Sequence, residues 1–484
     1  MFKISKDSVK VNMIMNALLT MSSFIFPFIT FPYISRILLP LGTGKVNFAT
    51  SVVNYFAMFA QLGIPTYGIR ACAKVRDNKE KLSRTVHELL FINLFMCVLV
   101  YITFFIALFN VPRLEQDKTL YLVIGISIIL NALGVEWLYK ALEKYSYITI
   151  RSLVFKVIAL VAMFLLVKNQ EDYVFYGGIT IFAGSASNIL NFWNLRKYVI
   201  LKPLGHYNIR QHIKMVITFF SMSIATTIYT NLDSVMLGFM KGDVDVGYYG
   251  AAVKIKNILV SLVTSASAVL LPRASFYVDR KMLDEFYHLL KKTMHFVFLL
   301  ACPLTLYFII FAREGIFFLS GEAYAGSILP MQIIMPTLIF IGMTNIIGIQ
   351  MLVPLGLEKQ VLYSEIAGAI VDLILNAILI PKFASSGAAI GTLVAEIVVL
   401  IWQLSVIRIR KVNLYSELKA YKIIIALVIA IAASIWVKGL FSSYFLILLI
   451  SAVCFFASYG LILLILKEQL VKEFMNMILS KFRR

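Results

Sequence analysis

Apolar runs of about twenty residues recur along this chain from end to end. Folded as a helix at about 1.5 Å per residue, each run matches the roughly 30 Å hydrocarbon layer of a bilayer. Few architectures accept so many of them. Of the 484 residues, 60% are hydrophobic and 14% charged, too little charge to cover a water-soluble surface. A membrane β-barrel requires alternating segments of about ten residues, and the sequence has none. The expected fold is an all-α polytopic membrane protein with about 14 transmembrane helices.

The spans are placed at roughly 11–35, 46–68, 86–109, 119–139, 147–167, 174–195, 213–239, 247–271, 293–312, 326–352, 361–380, 386–406, 421–438 and 443–466. An even number puts both termini on one side, and Lys and Arg decide which side. The connections on the side of the termini hold 33 of these residues and those on the other side 9. Lys156, Lys254 and Lys256 fall inside spans. The positive-inside rule places the basic side, with both termini, in the cytoplasm. The same distribution accounts for the net charge of +20 without nucleic acid as a partner. The start, MFKISKDSVK, runs into the first span without a small-residue cleavage site and reads as retained.

No connection exceeds roughly 20 residues, which leaves no room for a soluble catalytic domain. The sequence holds no P-loop, nucleophile elbow or paired-carboxylate motif, so an enzyme is not expected. Cys72, Cys97, Cys302 and Cys454 form no pair motif, and His87, His206, His212, His288 and His295 form no cluster in the sequence. Neither a metal site nor a cofactor is expected.

Two neighbouring spans carry polar stripes. Ser223, Thr226, Thr227, Thr230, Asp233 and Ser234 follow helical spacing on the seventh, and Lys254, Asn257, Ser261, Thr264 and Ser265 on the eighth. Polar residues and charges on a lipid-compatible helix mark a face turned away from lipid. A shift of 203 residues brings Gly44 onto Gly247, Ala49 onto Ala252, Asn54 onto Asn257, Arg70 onto Arg273 and Ala71 onto Ala274. It also lays Thr20, Ser23 and Thr30 on Ser223, Thr226 and Asp233, and Ser51, Asn54 and Gln61 on Lys254, Asn257 and Thr264. The offset covers six helices, so the halves are parallel repeats related by a pseudo-two-fold along the membrane normal. Two six-helix bundles are expected at roughly 1–205 and 206–412, with two added helices and a basic tail at roughly 413–484.

Four segments carry a family likeness: PYISRILLPLGTGKVNFA (32–49), YTNLDSVMLGFMKGDVDVGYYGAAVKI (229–255), GEAYAGSILPMQIIMPTLIFIGMTNIIGIQMLVPLG (321–356) and SSGAAIGTLVAE (385–396). They resemble the bacterial Wzx-type oligosaccharide-unit flippases of the multidrug/oligosaccharidyl-lipid/polysaccharide exporter superfamily. The resemblance implies a central cavity opening alternately to either side of the bacterial cytoplasmic membrane. It also implies an undecaprenyl-pyrophosphate-linked oligosaccharide as substrate, for cell-surface polysaccharide biosynthesis. The expected partners are that lipid, the surrounding membrane lipids and polysaccharide polymerase machinery, with the chain a monomer.

Lys254 lies some 10 Å inside its span, where a charge costs about 2.5–3.5 kcal/mol unless it meets water or a partner. It reads either as a cation for the pyrophosphate or an acidic sugar, or as a side chain snorkelling outward or pairing with Asp233. Lys256 points away among Val253, Val260 and Val263 and reads as snorkelling or packed. Lys254, Asp233, Asn54, Asn257, Ser51 and Arg36 form the candidate substrate cavity. Arg70 and Arg273, at equivalent cytoplasmic ends, suit a diphosphate gripped by forked hydrogen bonds, or serve as ordinary anchors. Glu365, Asp372 and Glu396 are intramembrane acids, suited to ion coupling or to helix–helix hydrogen bonds. Gly387, Gly391 and Ala395 make a small-residue row for close packing. Pro27 and Pro32 are expected to interrupt the first span, and Pro65 to end the second. A multidrug antiporter of the same superfamily is the alternative, although its cavity should be acidic or apolar and not lysine-bearing.

Overall fold

The structure is a computed structural model that describes residues 9–268, 270–409, 414 and 418–482. Met1–Lys6 of the basic start, Arg410 and Lys411 of a basic connection, and the final Arg483 and Arg484 lie outside the described residues. Every regular element among the described residues is helical. That follows from the solvent: in hydrocarbon each backbone polar group must be paired within its own segment, which a helix does.

The chain divides into two compact units, Met1–Gly247 and Tyr248–Arg484. The first holds α1 (Val9–Gln61), α2 (Ile64–Val75), α3 (Lys79–Asn110), α4 (Pro112–Glu115), α5 (Lys118–Leu133), α6 (Glu136–Ala141), α7 (Tyr145–Leu166), α8 (Tyr173–Ile181), α9 (Asn188–Asn194), α10 (Arg210–Met240) and the start of α11 (Asp243–Ala268). The second holds the rest of α11, then α12 (Leu271–Asp279), α13 (Leu283–Ile310), α14 (Ala312–Ser320), α15 (Ile328–Ile334), α16 (Thr337–Thr344), α17 (Glu358–Ile409), α18 (Ala420–Ser434), α19 (Tyr444–Ile465) and α20 (Gln469–Phe482). The helix α10 packs along α1 and against α2, and so stands with the first unit.

Nine helical stretches among the described residues are long and apolar enough to cross a membrane, or ten if the bent pair Glu322–Ile334 and Thr337–Leu352 is one span. Two of them are double length. At about 1.5 Å per residue the 53 residues of α1 would run far beyond any bilayer. The helix breaks once, at Leu39 (φ 54°, ψ −179°), and Pro40 starts the next turn, where its missing N–H costs nothing. The helix α17 breaks likewise at Ala384 (φ 50°, ψ −127°), three residues after Pro381. The connections expected at 36–45 and 381–385 are thus single-residue breaks. Pro27 and Pro32 lie within helical backbone, so they do not interrupt the first span as expected. With α8–α9 and α11 also of span length, the arrangement is consistent with fourteen crossings.

The first unit packs around Tyr67, Leu89, Trp137, Tyr139 and Val216, all buried. In the second, Ala426, Ala430, Phe455 and Tyr459 of the α18–α19 hairpin bury against Tyr307 and Phe311 of the α13 end. Polar contacts fix both ends of that hairpin: Lys438 Nζ donates to the Ile310 carbonyl (2.5 Å) and Lys422 Nζ to that of Lys467 (3.1 Å). Large apolar residues such as Phe95, Ile102 and Ile106 on α3 and Val453, Leu461 and Ile465 on α19 stay exposed, as the lipid-facing side of a span requires.

Two glycines related by the 203-residue shift meet in the first unit. A Cβ on Gly44 would stand 2.6 Å from the Asp243 carbonyl carbon and 2.9 Å from the Gly247 nitrogen. A Cβ on Gly247 would stand 2.8 Å from the Pro40 carbonyl carbon. The obstacles are backbone atoms, so only glycine lets the two helix starts touch.

Candidate functional site

The second half of α1 ends at Gln61, and the chain passes through Leu62 (φ 46°) and Gly63 (φ 71°) into α2, with Pro65 in its first turn. A Cβ on Gly63 would lie 2.5 Å from the backbone of Phe219 and Phe220, so α10 passes directly over the turn. This approach turns two of the polar stripes toward each other. Asn54 and Gln61 of α1, Ser223, Thr227 and Asn231 of α10 and Asn131 of α5 line a pocket of about 280 Å³, with Ala57, Met58, Gly63 and Pro65 as its apolar surface. No lining residue is charged.

Hydrogen bonds set the orientation of these amides. Asn54 Nδ2 donates to Asn231 Oδ1 (3.1 Å), while Asn231 Nδ2 donates to Thr230 Oγ1 (2.9 Å) and to the Thr227 carbonyl (3.1 Å). Behind Asn131, the buried Asn191 donates to the Gly134 carbonyl (2.7 Å) and to Asn188 Oδ1 (3.4 Å). Asn188 Nδ2 in turn donates to Asn131 Oδ1 (3.2 Å), which ties the pocket-lining Asn131 to this relay.

Of the residues expected in the substrate cavity, Asn54 lines this pocket. Ser51 and Asp233 are buried elsewhere in the first unit, and Arg36 is exposed with Nη1 on the Pro32 carbonyl (2.5 Å). Lys254 is half-buried on α11 and Asn257 exposed. Arg70 is exposed, as is Arg273, whose Nε donates to the Tyr277 hydroxyl (2.9 Å). Glu365 is half-buried, whereas Asp372 and Glu396 are buried. Asp372 and Asn376 both stand against Gly391, where a Cβ would come 2.9 Å from Asp372 Oδ1. The small-residue row therefore admits polar side chains as well as a helix.

Three polar clusters in the first unit were not read from the sequence. Asn131 and Asn231 belong to the pocket. Asn231 follows Thr227 and Ser223 at four-residue steps, a signal that was present; Asn131 is a lone amide in an apolar run. Glu88, 1% exposed, accepts from the Asn208 amide (2.6 Å), from Gln211 Nε2 (3.0 Å) and from His212 Nε2 (2.7 Å), and His212 Nδ1 accepts from the Tyr67 hydroxyl (2.7 Å). This network ties the start of α10 to α2 and α3. At the other end of α10, Arg113 pairs with Asp243 and donates to the Gly238 carbonyl (3.1 Å). Burial pushes the Asp243 carboxyl up against the pull of that guanidinium. Among the described residues no three His, Cys, Asp or Glu stand close enough to hold a metal ion.

Known proteins are similar to this chain in sequence or in fold. A protein of Escherichia coli (strain K12) named as an O-antigen transporter is 24% identical over 409 residues, which is 84% of this chain and 98% of that protein. The lipid II flippase MurJ in an inward closed conformation superposes with a TM-score of 0.73 at 15% identity, covering 95% of this chain and 100% of that one. An inward-facing MATE-family multidrug resistance transporter superposes at 0.61 with 14% identity, covering 83% and 99%. At those identities the two structures speak for the fold. The family described as "Polysaccharide biosynthesis protein" matches residues 9–278, more than half of the chain. The chain therefore belongs to the polysaccharide biosynthesis protein family, in keeping with the Wzx-type segments of its sequence.

Proposed function

We propose that the chain is a flippase that moves undecaprenyl-pyrophosphate-linked oligosaccharide units from the cytoplasmic to the outer leaflet of a bacterial cytoplasmic membrane, for polysaccharide biosynthesis. The observation that carries this reading is a pocket of carboxamides and hydroxyls built from membrane-length helices. Sugar hydroxyls need such partners, and a cation does not. The O-antigen transporter name of the Escherichia coli relative supports the same substrate class. Transport proceeds by alternating access between two six-helix bundles, roughly 1–205 and 206–412. Both termini face the cytoplasm. Lys254 and Arg36 take the pyrophosphate, with Arg70 and Arg273 at the cytoplasmic mouth. The chain works as a monomer and passes its product to a polysaccharide polymerase.

The buried acids Asp372 and Glu396 favour a second reading, ion-coupled export of organic cations. One experiment separates the two: transport of a fluorescent polyprenyl-pyrophosphate oligosaccharide in proteoliposomes. Wild type should move the lipid. Lys254→Ala should slow it about tenfold or more, the loss of one charge-assisted hydrogen bond, and Lys254→Arg should keep most of the rate. Wild-type liposomes that move no lipid but expel organic cations would establish the antiporter instead.

A further inference from the structure

We infer that the pocket formed by α1, α5 and α10 is a subsite for one uncharged sugar residue, and that its carboxamides read that sugar. This deepens the flippase reading and rests on it. The transported lipid has two chemically distinct parts, a dianionic link and a glycan. The pocket suits only the second. Asn54, Gln61, Asn131, Ser223, Thr227 and Asn231 offer both donors and acceptors, as each sugar hydroxyl does. Met58 and Pro65 supply apolar surface for the C–H faces of a pyranose ring. The cavity, about 280 Å³, is of the order of a single ring.

Selection follows from the absence of charge among the lining residues. A uronic acid placed here would lose water from its carboxylate and gain no cation, and an organic cation would gain no carboxylate. The pocket is also set before any ligand arrives. The Asn191–Asn188–Asn131 relay holds the Asn131 carboxamide, and in this conformation the Asn54–Asn231 bond joins two of the walls. A prearranged site loses less freedom on binding and discriminates better between epimers.

The test measures binding of three lipids to the full-length chain in nanodiscs by native mass spectrometry. The lipids are undecaprenyl pyrophosphate, the same lipid carrying one N-acetylhexosamine, and the same lipid carrying one hexuronic acid. Wild type should bind the N-acetylhexosamine lipid about tenfold more tightly than the other two. Asn131→Leu and Thr227→Val, each nearly isosteric, should each remove about fivefold of that preference and leave affinity for the bare lipid unchanged. Two variants on different helices guard against a folding defect in one. Equal binding of all three lipids by wild type, or variants that keep the full preference, would overturn the subsite alone. Binding of none of them would remove the flippase reading and the subsite with it.

Discussion

Glu88→Ala should lower the stability of the protein by about 1–3 kcal/mol, the cost of leaving a buried hydrogen-bond donor without its acceptor. The carboxylate is almost fully buried and is the common acceptor for the Asn208 amide, Gln211 and His212. The tautomer with its proton on Nε2 lets His212 donate to Glu88 and accept from Tyr67 at once. Truncating Glu88 leaves the buried His212 ring without its acceptor, whereas Asn208 and Gln211, on exposed residues, can turn to water. Glu88→Gln keeps an acceptor oxygen but places an NH₂ against one of those donors, so it should lie between alanine and wild type. Unfolding of the purified chain in mixed micelles on titration with SDS gives the comparison. An unfolding curve for Glu88→Ala that superimposes on wild type would show that the network is not what holds α10 to α2 and α3.

The second large effect is expected at Gly44 and Gly247. Valine at either site should cost more than about 3 kcal/mol, the upper end for overpacking, because the atoms in the way are backbone and cannot rotate aside. Gly460→Ala supplies the internal control: α19 has nothing within 4 Å of that position, and alanine there should stabilise the helix by up to about 1 kcal/mol. Gel filtration of fluorescent fusions reads folded protein directly. If Gly44→Val elutes as a folded peak as large as that of Gly460→Ala, the close contact between the helix starts does not exist.

Much of this fold was legible because lipid leaves a chain few options. Period, length and the Lys and Arg distribution mark the spans without reference to tertiary contacts. The breaks at Leu39 and Ala384 were harder. Each lies near a proline, but prolines also sit at 27 and 32 in unbroken helix, and which one ends a helix depends on what the next turn packs against. Asn54 and Gln61 were recognisable from their stripe on α1, and Ser223 and Thr227 from theirs on α10. That the two stripes face each other depends on Gly63, whose role appears only once Phe219 lies across it. Glu88 directly precedes Leu89 on a clear inward face of α3, so its burial was readable. Its partner His212 is 124 residues away, and no local pattern joins them.

The position of α10 decides how this protein can be cut. By repeat and by the loop at 196–209, a natural place to divide the chain is near residue 205. A fragment ending there would lack Ser223, Thr227 and Asn231, and with them half of the polar wall of its own pocket. It would also expose Tyr67 and Glu88, now covered by His212. Complementation between separately expressed halves divided near 205 should therefore fail, although that cut falls in a loop and between the two sequence repeats.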